Sequence, residues 1–161
     1  QGIHFALREL SSHPSTREKI DSKHVYLIGH SAGGHLALLA ATNPEIGNKL
    51  TLAIGLAAIT DPETYGQGKN SCETATSKFM GGSASEAPKA YRSASLIDKE
   101  FQSKVILMTG TQDSIVSSAQ AQLLDIEQMS VEGAGHFDFI DPHSWAFNAL
   151  LKILGNTGRR P

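Results

Sequence analysis

Residues 25–41 read VYLIGHSAGGHLALLAA, and this stretch decides the fold. Its apolar, β-branched opening is too short for a helix and predicts a buried strand over 25–29. Residues 33–42 return to an apolar helical pattern, which TNPE ends because Pro44 and the residue before it continue a helix poorly. Between the two lies Gly29-His30-Ser31-Ala32-Gly33, the spacing G-x-S-x-G. A chain turning this sharply from strand to helix holds its serine in a strained conformation. Side chains at the flanking glycines are expected to collide with strand or neighbouring backbone. The gain is a hydroxyl raised above the sheet edge beside a helix N-terminus. There the Ala32 N–H points to where a carbonyl oxygen would gain negative charge, and the helix dipole favours that charge.

Working outward, Ile3, Ala6, Leu7 and Leu10 stand at i, i+3, i+4 and i+7 and predict an amphipathic helix. SSHPSTREKIDSKH (11–24) reads as a loop. LTLAIGLAA (50–58) and KVILMTG (104–110) are continuous apolar strands, and IEQMSVEG (126–133) is a fourth, shorter one. Ser117 with Gln120 forms a capping-box pattern opening a short helix over 118–124. Phe147, Leu150, Leu151 and Leu154 mark a last helix. Strands apolar throughout are buried on both faces, and strand–helix alternation implies an α/β fold. We expect a mostly parallel sheet of about four strands with helices on both faces. The domain is expected over 1–155, with 60–95 a short cap-like insertion holding a short helix or two and 156–161 a flexible tail.

Apolar residues make up 40% of the 161, enough for one domain to bury a core without metal or disulfide staples. Fourteen basic against sixteen acidic side chains, scattered along the chain, give no patch for nucleic acid or an anionic membrane. No apolar run approaches the roughly 20 residues of a membrane span. The single cysteine, Cys72, makes no internal disulfide and favours a reducing, cytoplasmic compartment. QGIHFALREL lacks an initiating Met and opens inside a helical pattern, so the start reads as internal.

A serine hydroxyl needs a base, and the base an orienting acid. Asp113 follows the third strand in VILMTGTQDSIV, and His136 follows the fourth in VEGAGHFD. In a parallel sheet both loops lie at the edge that presents Ser31. GHSAGGHLALLAA, GTQDSIV, GAGHF and YRSASLID together resemble the C-terminal half to two-thirds of an α/β-hydrolase of the esterase, feruloyl-esterase and arylformamidase-like branch. The resemblance spans nearly all of 1–155. It implies Ser31 as nucleophile, His136 as general base and acid, Asp113 as orienting carboxylate and the Ala32 N–H as an oxyanion donor. The implied activity is hydrolysis of small or short-chain acyl esters through an acyl-enzyme, with no metal or other cofactor. An arylformamidase-type amide hydrolase is the alternative within enzymes, and a non-catalytic binding module the alternative outside them.

The resemblance also implies strands and a second oxyanion donor upstream of Gln1, where loss of one such donor costs about 10²–10³ in rate. Strand 25–29 is then an exposed edge. It is completed by a separate N-terminal polypeptide, by a second copy in a homodimer, or not at all in a minimal hydrolase. Asp61, after the second strand, rivals Asp113 as the acid. Asp138 and Asp141 read as loop carboxylates, and His4, His13, His24 and His143 as surface histidines. His35 is expected to face a neighbouring helix. His30, Phe137 and Val116 are expected beside the substrate, whereas Tyr65, Phe79, Tyr91 and Phe139 each read first as core.

Overall fold

The computed structural model describes residues 2–15, 18–19, 21 and 23–157. Helix α1 (Gly2–Ser12) opens the chain. Strand β1 (Tyr26–His30) leads through Ser31 into α2 (Ala32–Ala41) and the short α3 (Pro44–Gly47). Strand β2 (Leu52–Leu56) is followed by α4 (Pro62–Tyr65), α5 (Ser71–Met80) and α6 (Pro88–Ala94). Strand β3 (Val105–Gly110) precedes a 3₁₀ turn at Ser118–Leu123. Strand β4 (Glu127–Val131) precedes a second at Asp138–Ile140 and then α7 (Trp145–Thr157).

Among the described residues the four strands form one parallel sheet in the order β1-β2-β3-β4, with Ile28 opposite Ile54, Ile54 opposite Ile106 and Met108 opposite Met129. The pleat divides the side chains between two cores. Ala53, Val105 and Leu107 face α2, where Leu38 and Ala41 are buried and Ile3 and Leu7 of α1 pack alongside. Leu52, Ile54, Ile106 and Met108 face α7 through Ala146, Leu150 and Ile153, with Phe139 at the top. All of β2 is buried, whereas the flanking strands β1 and β4 are partly open. No helix among the described residues is long and apolar enough to cross a membrane.

The elements depart from the sequence reading in three places. Residues 118–124 do not close a capping box. Ser117 Oγ accepts the N–H of Ala119, while the Gln120 side chain turns inward, its Oε1 accepting the N–H groups of Thr60 and Asp61. The turn is therefore 3₁₀ and ties β3 to the end of β2. Residues 60–95 hold three helices. Asp61 caps α4 with Pro62 at its first position, Pro88 does the same for α6, and Asn70 with Glu73 forms a full capping box on α5. The last helix runs to Thr157, beyond the start of the expected tail at 156. The rest of that tail, 158–161, lies outside the described residues.

Candidate active site

Ser31 sits between β1 and α2 with φ 54° and ψ −121°, a conformation that costs a non-glycine residue about 1–3 kcal/mol. Two backbone bonds hold it there: its N–H donates to Leu56 O at 2.8 Å, and its carbonyl accepts from His35 N at 3.0 Å. Glycine is required at two positions around it. A Cβ on Gly29 would lie 2.0 Å from Gly33 O, and one on Gly34 would lie 2.7 Å from Ala58 Cβ. At Gly33 a Cβ meets nothing within 4 Å, so the second glycine of the motif is not sterically forced, contrary to the sequence reading. Gly34, just outside the motif, carries the close approach of α2 to the chain after β2. Ala32 begins α2, and the first N–H groups of a helix have no acceptor within it.

The loops after β3 and β4 are bonded to each other. Thr111 N donates to Val131 O at 3.1 Å, Gln112 N to Ala134 O at 3.0 Å and Gly133 N to Thr111 Oγ1 at 2.8 Å. Gly110 permits this, since a Cβ there would lie 2.2 Å from Ala134 O. The zipped loops bring Asp113 and His136 together. Asp113 Oδ1 accepts the N–H groups of Ile115 and Val116, each at 2.8 Å, and Oδ2 accepts from His136 Nδ1 at 2.8 Å. Both side chains are shielded from water, with 5% of the histidine's and none of the aspartate's surface exposed. In the neutral ring, a carboxylate accepting at Nδ1 places the ring proton there and leaves Nε2 with its lone pair.

His30 joins this pair to the serine turn. Its Nε2–H donates to the His136 carbonyl at 2.8 Å, and the two rings lie 4.5 Å apart at 53°. Phe137 stands edge-on to His136 at 5.0 Å. Burial, only partly countered by the bond to His136 O, pushes His30 below the ordinary histidine range and keeps it neutral. His30 and Phe137 thus brace the base, and Val116 is buried with its N–H on Asp113. None of the three is among the residues that line the cavity beside Ser31; His30 and Phe137 stand on the His136 side of the serine.

That cavity, about 440 Å³, begins at Ser31 and Ala32 and runs between α2 and α5. Leu36 and Leu39 form one wall, and Ala75, Phe79 and Met80 the other. Phe79 is 87% exposed at it and so is not the core residue expected, whereas Tyr65, which also lines it, is buried, as are Phe139 and Tyr91. Burial pushes the Tyr65 phenol up to about 12, and its hydroxyl has no hydrogen-bond partner among the described residues. His35 also lines the cavity rather than facing only a helix, its Nδ1–H donating to Ile59 O at 3.0 Å. Only its spacing from Ser31, one helical turn on, pointed to this placement. Asn70 Nδ2 donates to Ile115 O at 3.3 Å, tying the start of α5 to the acid loop.

The rival carboxylates are engaged elsewhere. Asp61 Oδ2 accepts the Thr64 N–H at 2.9 Å and hydroxyl at 2.6 Å. Burial opposes its charge, but these hydrogen bonds outweigh it and hold the carboxyl below the usual carboxylate range. Asp138 Oδ2 accepts from Gly135 N, and Asp141 Oδ1 from His143 N. His24 pairs with Asp21 and His4 with Glu45.

Esterase B from Lactobacillus Rhamnosis (HN001) is similar in structure at TM-score 0.74 and 20% identity, over 98% of this chain and 59% of that one. Est2 from the Planctomycetes species Thermogutta terrifontis aligns at TM-score 0.63 and 20% identity, over 96% and 59%. A truncated carbohydrate esterase from gut microbiota aligns at 0.71 and 18%, over 96% and 66%. At such identities these likenesses establish the fold, and this chain spans about 59% of the length of the first of them. Comparison with curated proteins returns no match. The BD-FAE family matches residues 3–127, which covers both β1-Ser31-α2 and the acid loop, and the chain belongs to that α/β-hydrolase-like family.

Proposed function

We propose that the chain carries the catalytic apparatus of a serine carboxylic-ester hydrolase. Ser31 Oγ attacks the ester carbonyl while His136 Nε2 takes its proton, and Asp113 holds the ring in the tautomer that leaves Nε2 free. The carbonyl π pair moves to oxygen, where the Ala32 N–H and the N-terminus of α2 favour the charge. Collapse of the tetrahedral intermediate breaks the bond to the alkoxy oxygen, which leaves with the proton from His136. A water deprotonated by the same imidazole then attacks the acyl-serine, and Ser31 recovers its proton as the acid departs.

The observation that carries this reading is the buried His136–Asp113 pair, 2.8 Å apart, braced through His30 against a serine held at φ 54°. A structural serine in a Gly-rich turn has no use for that strain. Hydrolysis of p-nitrophenyl butyrate by the wild-type chain and by Ser31→Ala tests it. A drop of at least about 10³-fold in kcat is expected, and equal rates would overturn it.

A further inference from the structure

The cavity between α2 and α5 has features that a bare cleft lacks. The residues of α2 that line it, Ala32, His35, Leu36 and Leu39, fall at i, i+3, i+4 and i+7, and those of α5 at Cys72, Ala75, Thr76, Phe79 and Met80 repeat the same spacing. Each helix thus turns a stripe, largely apolar, towards an open space rather than wholly into the core. Leu36 is 54% exposed and Phe79 is 87% exposed on the two walls. No Asp, Glu, Lys or Arg lines the cavity among the described residues. Burial lowers His35, whose Nδ1–H is given to Ile59 O, and raises Tyr65, which stays a phenol. A charged group entering here would lose water and find no opposite charge among the described lining residues, and the Tyr65 hydroxyl is a polar point on an otherwise largely apolar wall.

The position of the cavity decides which half of an ester it receives. Its end is formed by Ser31 and Ala32, while His30, His136 and Phe137 lie outside its lining. A leaving alcohol must reach His136 to be protonated, so it departs on the histidine side. The acyl group, bonded to Ser31 with its carbonyl oxygen towards the Ala32 N–H, takes the other side. At about 30 Å³ per water-sized group, a chain of eight carbons fills roughly half of the space. An acetyl group leaves nearly all of it to water.

Resting on Ser31 as the nucleophile, we propose that this cavity is the acyl-binding site and that it selects unbranched hydrocarbon acyl chains of about eight carbons or more over the short acyl groups expected from sequence. Ala75 and Phe79, both exposed on α5, set its width, so they can be changed without disturbing the core.

The test is a series of p-nitrophenyl esters from acetate to decanoate, run on the wild type, Ala75→Trp and Phe79→Ala, with thermal melts on each. kcat/KM is expected to rise with length by up to about fourfold per buried methylene and to go on rising through decanoate. The octanoate-to-acetate ratio is expected to fall in both variants by about fifteenfold, the equivalent of two methylenes. Binding of methyl octanoate and methyl acetate to Ser31→Ala, with and without Ala75→Trp, gives a readout independent of turnover. Only methyl octanoate is expected to bind, and only with Ala75 in place. Hydrolysis without length preference, unchanged by either substitution, would overturn the acyl site and leave the hydrolase reading standing. Absence of hydrolysis with Ala75-dependent binding would remove the hydrolase reading and keep the site for apolar chains. Absence of both would overturn both.

Discussion

Replacing Asp113 with Asn isolates the role of the acid from its role in packing. Asp113 Oδ1 is fixed by two backbone donors, Ile115 N and Val116 N, each at 2.8 Å. An asparagine must therefore leave its oxygen at that end and turn its NH₂ towards His136 Nδ1, which Oδ2 now meets at 2.8 Å. Two donors cannot share that contact. The imidazole responds by moving its proton to Nε2 and accepting at Nδ1, which leaves no lone pair for the Ser31 proton. The expected loss is about 10⁴ in kcat. The shape of the side chain is unchanged and the two backbone bonds survive. Unfolding free energy should therefore fall by only about 1–2 kcal/mol. The cavity does not include Asp113, so KM is expected to move little. Steady-state kinetics on p-nitrophenyl esters beside a urea titration reads all three quantities. A kcat within about tenfold of wild type in a folded variant would refute the orienting role and return Asp61 to contention.

Gly33→Ala is expected to be neutral or to stabilise by up to about 1 kcal/mol through helix propensity, since a Cβ there meets nothing within 4 Å. Gly34→Ala is expected to cost about 1–3 kcal/mol by overpacking, because its Cβ would lie 2.7 Å from Ala58 Cβ and 2.9 Å from Gly29 O. Denaturant midpoints compare the two, and the reverse order would contradict the packing described for the serine turn. His30→Ala removes one hydrogen bond and a ring contact, which at about 1 kcal/mol each predicts roughly thirtyfold lower kcat at similar KM. His30→Gln, which can place an N–H near the same point, should recover part of it, and a kcat untouched in both would show that His136 needs no brace. Asp61→Ala should cost about 0.5–2 kcal/mol at neutral pH as a lost helix cap. The folded carboxyl titrates below the usual range, so its contribution is present above the ordinary carboxylate pKa and is lost as pH falls through the folded value. The gap between wild type and variant should narrow in acid, and a gap that widens there would be the contrary result.

The parallel α/β sheet was legible because β2 and β3 are apolar on both faces, a pattern that only a layered fold buries. Strand β1 begins at Tyr26 and ends at His30, one residue from the expected span, because the ladder with β2 runs from Tyr26–Leu52 to His30–Leu56. The cap-like segment was not legible as three helices. Its α5 points Ala75 and Phe79 into an open cavity, so the apolar residues that would have marked its face are not core residues. Its start signal, Asn70 with Glu73, was present in the sequence and is a complete capping box in the structure. The places of Ser31 in the turn after β1 and of Asp113 and His136 in the loops after β3 and β4 were readable from strand ends and chain order. The contact of His30 with His136 was not, since it links residues 106 apart and has no local signal. The inward turn of Gln120 was hidden for a similar reason: its partners, Thr60 and Asp61, lie about 60 residues earlier in the chain.

The claim that Ser31 is an activated nucleophile is tested most directly by covalent trapping. The chain is incubated with an alkyl fluorophosphonate, and intact mass is followed by peptide mapping. One adduct is expected, on Ser31, formed slowly or not at all in Asp113→Asn and absent from Ser31→Ala. A wild-type chain left unmodified under conditions that keep it folded, or labelled at another residue, would contradict it.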